Sequence, residues 1–286
     1  MQTDNKPAVL FGIGVQKAAT SWLYRYFDNH PEVAMPPFKE LHYFDAVYAP
    51  RYSVISDNAH IERYQNAVGN LNKRNITRNS DYIRRLQALH DRVLAIGDIE
   101  HYRRLLFREG QGKAYVGEFT PSYSVIGRKG FRAMAAFHTE VRFLLMFRNP
   151  VDRFASHVRF GGRDDAVFDF RSAFYKNLSN RTYTLPTDYK WMLGELVAAV
   201  DMDQVNIDFY ERLFHQDAIR KLCTWLGISY VAADLSKRVN QGKPAEMTTQ
   251  MRADAFGILS SAYTAVENHF HGDIPTSWLD DMRQFG

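Results

Sequence analysis

Five short apolar runs punctuate the chain, and stretches with a helical period separate them. The clearest run is "VRFLLMFR" at 141–148, apolar on both alternating faces, as a strand buried in a parallel sheet should be. "AVLFGIG" (8–14), "EVAM" (32–35), "AYVGEF" (114–119) and "VNIDFY" (205–210) are the other strand candidates. A helix is predicted from Ser21 to Asn29, stopping at His30-Pro31, and "LFHQDAIRKLCTWLGI" reads as a helix after the last strand. Strands alternating with helices predict an α/β chain, a central parallel sheet flanked by helices. Ligands of such sheets sit beyond the carboxyl ends of the strands, so the residues just after each run carry the chemistry.

The stretch between the second and third strands, 46–113, is too long for a connection and contains at least two helices. "DYIRRLQALHDRVLAI" places Ile83, Leu86, His90 and Val93 on its expected inner face. "DIEHYRRLLFREG" starts at an Asp98 cap and stops near Gly110. The segment is expected to be a largely helical insertion, a substrate lid over the ligand edge of one domain spanning 1–286. No internal repeat or low-complexity tract interrupts this plan.

Composition narrows the class. At 286 residues, 45% hydrophobic and 24% charged, the chain has the make-up of a globular protein with a sizeable core. No apolar run approaches a membrane span, and "MQTDNKP" lacks the features of a secretory signal. A single cysteine, Cys223, forms no intrachain disulfide and reads as a buried thiol on a helix face. A soluble, cytoplasmic protein is the expectation. The net charge of +4 is concentrated: between Ala46 and Lys113 stand twelve Lys or Arg against seven Asp or Glu. That excess suits either a solvated basic face or attraction of an anionic ligand. Zinc-finger spacing, an RNP-like stretch and a basic tail are all missing, so nucleic acid is not an expected partner.

The candidate chemistry starts in "FGIGVQKAATSWLYRYF". Gly12 and Gly14 permit tight backbone geometry, and Ala18 and Ala19 add little bulk. Amides from Ala18 through Ala19, Thr20 and Ser21 to Trp22 would face an anion at a helix N-terminus. Lys17 supplies a point charge, and the Thr20 and Ser21 hydroxyls add donors. A Walker loop needs Gly before its Lys and Ser or Thr after it, the latter to hold magnesium. Gln16 and Ala18 occupy those places, which disfavours an ATPase or kinase. A second constellation is "FRNPVDRFASHVRF" at 147–160. Arg148 ends a strand, Pro150 suits the start of a helix, and Arg153 and Ser156 follow three residues apart. Arg148 and Ser156 make a candidate second phosphate site. Arg153 reads equally well as a surface partner of a carboxylate.

Two phosphate sites without a magnesium hydroxyl suggest a nucleotide phosphorylated at two places on its ribose. With these motifs in order, the chain resembles the sulfotransferases that use 3′-phosphoadenosine 5′-phosphosulfate (PAPS). It is nearest to their carbohydrate branch, which includes heparan sulfate-type and bacterial members. "GVQKAATSWLYRYFDNHPEV" is similar to the family's 5′-phosphosulfate loop and helix, and "RNPVDRFASH" to its 3′-phosphate motif. "KELHYFD" and "GEFTPSY" resemble two further segments, and "FYERL" and "WLGI" its late strand and helix. The resemblance implies a nucleotide-kinase-like, P-loop-type sulfotransferase fold and transfer of a sulfuryl group to an acceptor hydroxyl. That transfer needs no metal and leaves 3′-phosphoadenosine 5′-phosphate (PAP) as product. It implies that Lys17 contacts the phosphosulfate and that Arg148 and Ser156 hold the 3′-phosphate. Glu40 falls at the position of the base, and His42 and Asp45 at further active-site positions. A partly desolvated Glu40 would have its pKa raised toward neutrality, as a general base requires. Glu118 is a rival base or an acceptor contact, and His42 could equally be a core histidine.

Two positions depart from the family pattern. Phe119 stands where the heparan-type segment has lysine, and the glycine-rich loop near the C-terminus has a faint echo in "VNQGKPAEM", through Gly242 and Lys243. The expected acceptor is a carbohydrate or another small metabolite. Tyr43, with Phe44, Tyr48 and Tyr52, is a candidate stacking surface for it. Rival readings are a catalytically silent PAP-binding module and an atypical nucleotide kinase. Nothing in the sequence specifies an oligomeric state.

Overall fold

The computed structural model describes residues 6–52, 57–71, 79–236 and 245–286. Five strands form one all-parallel sheet: β1 (Ala8–Gly14), β2 (Val33–Ala34), β3 (Tyr115–Phe119), β4 (Val141–Phe147) and β5 (Val205–Phe209). Their order across the sheet is β2-β3-β1-β4-β5. Every strand coincides, within a residue or two, with one of the five apolar runs. β1 takes the middle place and is buried at all seven positions, and β4 lies beside it, inside the sheet. A strand covered on both faces has no use for alternation, which is why both read as continuous apolar runs.

Helices α1 (Thr20–Asp28) and α2 (Phe44–Tyr48) flank β2 in the chain. Then come α3 (Asp57–Gly69), α4 (Ser80–Leu94) and α5 (Ile99–Phe107), which lead into β3. α6 (Gly127–Ala135) precedes β4, and α7 (Pro150–Gly161) follows it. α8 (Phe170–Leu178), α9 (Arg181–Thr184) and α10 (Tyr189–Val197) lead to β5, and α11 (Tyr210–Leu213), α12 (Gln216–Leu226), α13 (Thr249–His269) and α14 (Thr276–Phe285) complete the chain. α5 begins as its sequence indicates, with the Asp98 carboxylate accepting from the amides of Glu100 and His101. α7 is capped by Asn149, whose side chain accepts from Val151 and Asp152, with Pro150 at its first position.

α4 departs from expectation. Its buried positions are Ala88, Leu89 and Arg92, while Ile83 and His90 are exposed. An arginine inside the buried stripe conceals the face from an apolar count. Cys223 is buried as expected, its Sγ 3.1 Å from the Tyr26 hydroxyl. Of the aromatic group expected to stack on an acceptor, Tyr43 and Phe44 fill core instead, whereas Tyr48 is exposed and Tyr52 partly buried. Tyr43 stacks on Tyr102 at 4.5 Å, and Phe44 meets Phe11, Tyr102, Tyr123 and Phe137 edge-on. No helix among the described residues is long and apolar enough to cross a membrane.

Candidate active site

Because the strands run parallel, the segments after β1, β3, β4 and β5 emerge along one edge of the sheet, and the site is built there. β1 delivers the Val15–Ala19 loop. At Gly12 a Cβ would lie 2.1 Å from the Phe119 ring, and at Gly14 (φ 138°) it would lie 2.9 Å from Ser124. Only glycine admits the post-β3 segment this close beneath the loop. Phe119 lies in the core, stacked on Phe27 at 5.7 Å. Lys17 (φ 71°) and Ala19 (φ 62°) both hold left-handed backbone conformations that are costly for residues with a Cβ. Glu40 (φ 69°) and His42 (φ 52°) do the same in the neighbouring loop.

The Lys17 ammonium lies 3.2 Å from the centre of the Phe160 ring on α7, and the Arg163 guanidinium lies 4.1 Å from the same ring. Ser156 is one turn before Phe160 on α7, so it faces the same way. Arg148 donates through Nη1 to the Lys17 carbonyl at 2.9 Å, with its guanidinium over Tyr210. Arg153 is completely buried; it donates through Nη2 to the Tyr183 carbonyl, while Nε and Nη1 have no partner. His157, half-buried beside Tyr183, has an unpartnered Nδ1. Among the described residues no carboxylate comes within ion-pair distance of Lys17, Arg148 or Arg153. Burial and the charges of Arg153, Arg163 and Arg148 together push Lys17 down to about 7. Burial pushes Arg153 down to about 10, and burial with Arg153 and Lys17 pushes His157 down to about 2. Arg153 is a buried cation, with Lys17 and Arg148 partly buried beside it, and a cluster of this kind without counter-charges is costly.

The 36–43 loop carries the second half of the site. His42 and Asp45 are wholly buried, and His42 Nδ1 lies 2.7 Å from Asp45 Oδ2. His42 Nε2 lies 3.2 Å from Glu40 Oε2, while the Lys39 ammonium donates to Glu40 Oε1. Burial alone would lower His42, but the hydrogen bonds and charges of Asp45 and Glu40 win and raise it to about 9. The imidazole is then an imidazolium that donates to both carboxylates. For Glu40, burial would raise the carboxyl, yet His42 and Lys39 outweigh it and hold it at about 2. The expected rise toward neutrality is thus reversed, because two cationic donors act on one carboxylate. Glu40 keeps its side chain about 31% exposed, and its charge acts on Lys17 across the site.

Glu118 explains why the loop holds its shape. Its carboxylate is 1% exposed and accepts from the Tyr102 hydroxyl, the Tyr123 hydroxyl (2.6 Å), the Thr120 hydroxyl (2.9 Å) and the Leu41 amide (3.2 Å). The Tyr123 hydroxyl in turn receives the Tyr43 amide at 3.1 Å. Burial raises the Glu118 carboxyl, although all four donors work against it. With its acceptor positions occupied, Glu118 is neither a base nor an acceptor contact; it anchors the Glu40 loop. From the other side Arg92, 1% exposed, donates to the carbonyls of Leu41 and His42 and to Asp57.

Several sequence expectations are corrected by this geometry. Asp45 and Tyr43, expected to face an acceptor, are buried: Asp45 orients His42, and Tyr43 packs on Tyr102. Trp22 is a core residue against Tyr26 and Phe214, with Nε1 donating to the Asp234 carbonyl. Of the five amides expected to face an anion, that of Ala18 bonds to Val15 and that of Trp22 to Ala19. Ala19 is the N-cap of α1 and Thr20 and Ser21 begin the helix, with Thr20 buried beneath the loop. Arg153 has no carboxylate partner and does not lie on the surface. Gly242 and Lys243 lie outside the described residues. Arg92, Phe160, His157 and Arg163 are site residues that the sequence reading missed. For the three on and after α7 a signal existed, since they continue the Arg153–Ser156 face; Arg92 had none. No group of His, Cys, Asp and Glu among the described residues could hold a metal ion.

No protein-family model matches the chain, and no curated protein matches it in sequence. Solved structures do. A sulfotransferase from Alicyclobacillus acidocaldarius is similar over 96% of this chain and 98% of its own, with a TM-score of 0.67 and 21% identity. The sulfotransferase domain of the Synechococcus PCC 7002 olefin synthase covers 96% and 99%, with a TM-score of 0.50 and 13% identity. At such identities the likeness is one of architecture: this chain has the sulfotransferase fold.

Proposed function

We propose that the protein is a PAPS-dependent sulfotransferase acting on an acceptor hydroxyl. The observation that carries the reading is the cluster of the buried Arg153 with the partly buried Lys17 and Arg148, left without carboxylate partners among the described residues at the ends of β1 and β4. The donor set fits a doubly phosphorylated nucleotide, because it offers two groups of cations on two elements. Lys17, with the Ser21 hydroxyl, would hold the 5′-phosphosulfate, and Arg148 and Ser156 the 3′-phosphate, with the charge of the buried Arg153 added to theirs.

When bound, the nucleotide supplies the sulfuryl group: an S–O bond to the acceptor oxygen forms as the S–O bond to the 5′-phosphate breaks. Lys17 stabilises the charge that builds on the departing phosphate, and anion binding returns to it the proton that burial has loosened. Glu40 Oε1, displaced from Lys39, takes the hydroxyl proton. A carboxylate held at about 2 is a weak base, so it receives that proton late, once the bond to sulfur has made the hydroxyl acidic. His42 keeps Glu40 oriented and charged, and Asp45 keeps His42 protonated. Positioning and electrostatics carry the reaction. The 46–113 segment serves as the acceptor-side insertion of a single domain.

Calorimetric titration with PAP, and separately with ATP and magnesium, tests the reading, followed by transfer of labelled sulfate from PAPS across an acceptor panel. PAP binding and labelled product are expected. Tight ATP binding without PAP affinity would sink the proposal, and PAP binding with no transfer to any acceptor would reduce it to a silent nucleotide-binding module.

A further inference from the structure

A cleft of about 600 Å³ opens between the Pro37–Lys39 stretch, α1 and the α3–α4 pair. Phe38 and Leu89 are buried at its floor. One wall is a stripe of α3 that continues past its end, Arg63, Asn66 and Asn70. The other is a stripe of α4, Tyr82, Arg85 and Leu89. Both stripes follow i, i+3, i+7 spacing, so the two helices turn matching faces to the same space. Three charged side chains line the cleft, Lys39, Arg63 and Arg85, and all are cations. Arg63 and Arg85 are exposed and have no ion-pair partner among the described residues. Two nearby carboxylates, Asp28 and Glu109, act on Tyr24 at the cleft's edge. Glu109 is held by both prongs of Arg84, so it does not neutralise the cleft cations.

Lys39 is the one cleft cation already engaged, and its partner is Glu40. Lys39 therefore links the lining of the cleft to the proposed base. Resting on the sulfotransferase reading, we infer that this cleft seats the acceptor and that the acceptor carries an acidic group, a carboxylate or a sulfate ester. Lys39 couples recognition of that group to Glu40. An acidic group entering the cleft competes with Glu40 for the Lys39 ammonium. As Lys39 turns to it, Glu40 Oε1 is released to meet the acceptor hydroxyl. A neutral acceptor leaves Lys39 on Glu40 and the base occupied. Recognition by Arg63 and Arg85 governs affinity, whereas Lys39 governs the readiness of Glu40.

The test titrates the PAP-loaded protein with three hexasaccharides. These are an oligouronate, its carboxyl-reduced neutral form, and the reduced form carrying sulfate esters. At least one charged hexamer is expected to bind tenfold or more tightly than the neutral one, and the better of the two identifies the acidic group. The Arg63→Gln/Arg85→Gln double variant should erase the difference, while Arg128→Gln, remote and paired with Glu195, should retain it. Equal affinities, no binding of either charged hexamer, or a preference that survives in the double variant would each overturn the inference. NMR titration of the Glu40 carboxyl examines the coupling: it should move upward with the charged hexamer and in Lys39→Met. A Glu40 titration that stays in place under both changes removes Lys39 from the role. PAP titration without saccharide separates the two levels. PAP binding with no acid preference leaves the sulfotransferase reading intact and ends this inference. Absence of PAP binding ends the reading itself, and the same hexamers titrated without PAP then decide the cleft alone.

Discussion

Lys17 and Arg153 are the residues whose energetics make least sense without a ligand. Lys17 is held near 7 by burial and three arginines, so above pH 7 the free protein has lost much of that charge. An anion bound beside it raises its affinity for protons, so PAP binding should take up a proton. Affinity should fall as pH rises from 7 toward 10. Calorimetry in buffers of different ionisation enthalpy reads this directly, and Lys17→Ala should remove the uptake. Arg153 makes a complementary prediction. Arg153→Met removes a buried, half-paired cation, a change worth between nothing and about 4 kcal/mol of stabilisation, yet PAP affinity should drop at least tenfold. A lowered unfolding midpoint with unchanged PAP affinity would show that Arg153 is merely structural. His42 sets the alkaline limit. Its pKa is raised to about 9 by its two carboxylates, so its contribution to stability is complete below about 6.5 and fades as pH climbs through 9. Turnover should decline over that same upper window, because neutral His42 donates to only one carboxylate; a pH–rate profile checks it.

At the scale of elements, the Glu40 loop is held between two others that are distant in sequence. β3 and the turn after it supply Glu118 and Tyr123, which accept from the Leu41 and Tyr43 amides, and Thr120, which donates to Glu118. α4 supplies Arg92, which grips the Leu41 and His42 carbonyls. Left-handed φ values at Glu40 and His42 persist because both sides clamp the backbone between them. Arg92→Met should leave two carbonyls unmet, at about 1–3 kcal/mol each. Turnover should fall further than PAP affinity, and Arg92→Lys should restore part of both stability and turnover. Denaturant unfolding and steady-state kinetics separate these effects. Equal losses in turnover and PAP binding would mean that α4 supports the fold in general and the loop only incidentally. The helical segment between β2 and β3 thus fixes the backbone around the proposed base through Arg92, and its α3 and α4 form both walls of the cleft beside it.

Across the whole molecule, the proposed donor pocket joins the ends of β1 and β4 to α7, and α7 is tied to the C-terminal helices. Arg252 on α13 pairs with Asp152 on α7 and Asp281 on α14, and Asp281 reaches the Asn149 cap. A ligand across this junction should stabilise the entire fold. PAP at a hundredfold excess over its Kd is expected to add about 2.7 kcal/mol, visible as a concentration-dependent rise in the unfolding midpoint. A midpoint indifferent to PAP would contradict the assignment of the pocket.

Local pattern was enough for the strands and the capped helices, since each follows from near neighbours in the chain. Apolar runs mark buried strands, and Asp98 and Pro150 mark helix starts. The resemblance of two ordered motifs also pointed to the right fold. Roles that depend on surroundings were not legible. Glu118 and Glu40 are both glutamates near strand ends, yet four donors bury one as an anchor and two cations turn the other into a strong acid. Arg153 reads as a surface residue until the absence of any carboxylate around it is visible, and Arg92 sits where a hydrophobic residue would have been expected. Some of the deciding groups are sequence neighbours, as Lys39 and His42 are of Glu40, and others are distant, as Leu41 is from Glu118 and Arg92 from Leu41; only the folded chain sets which of them touch and which are buried.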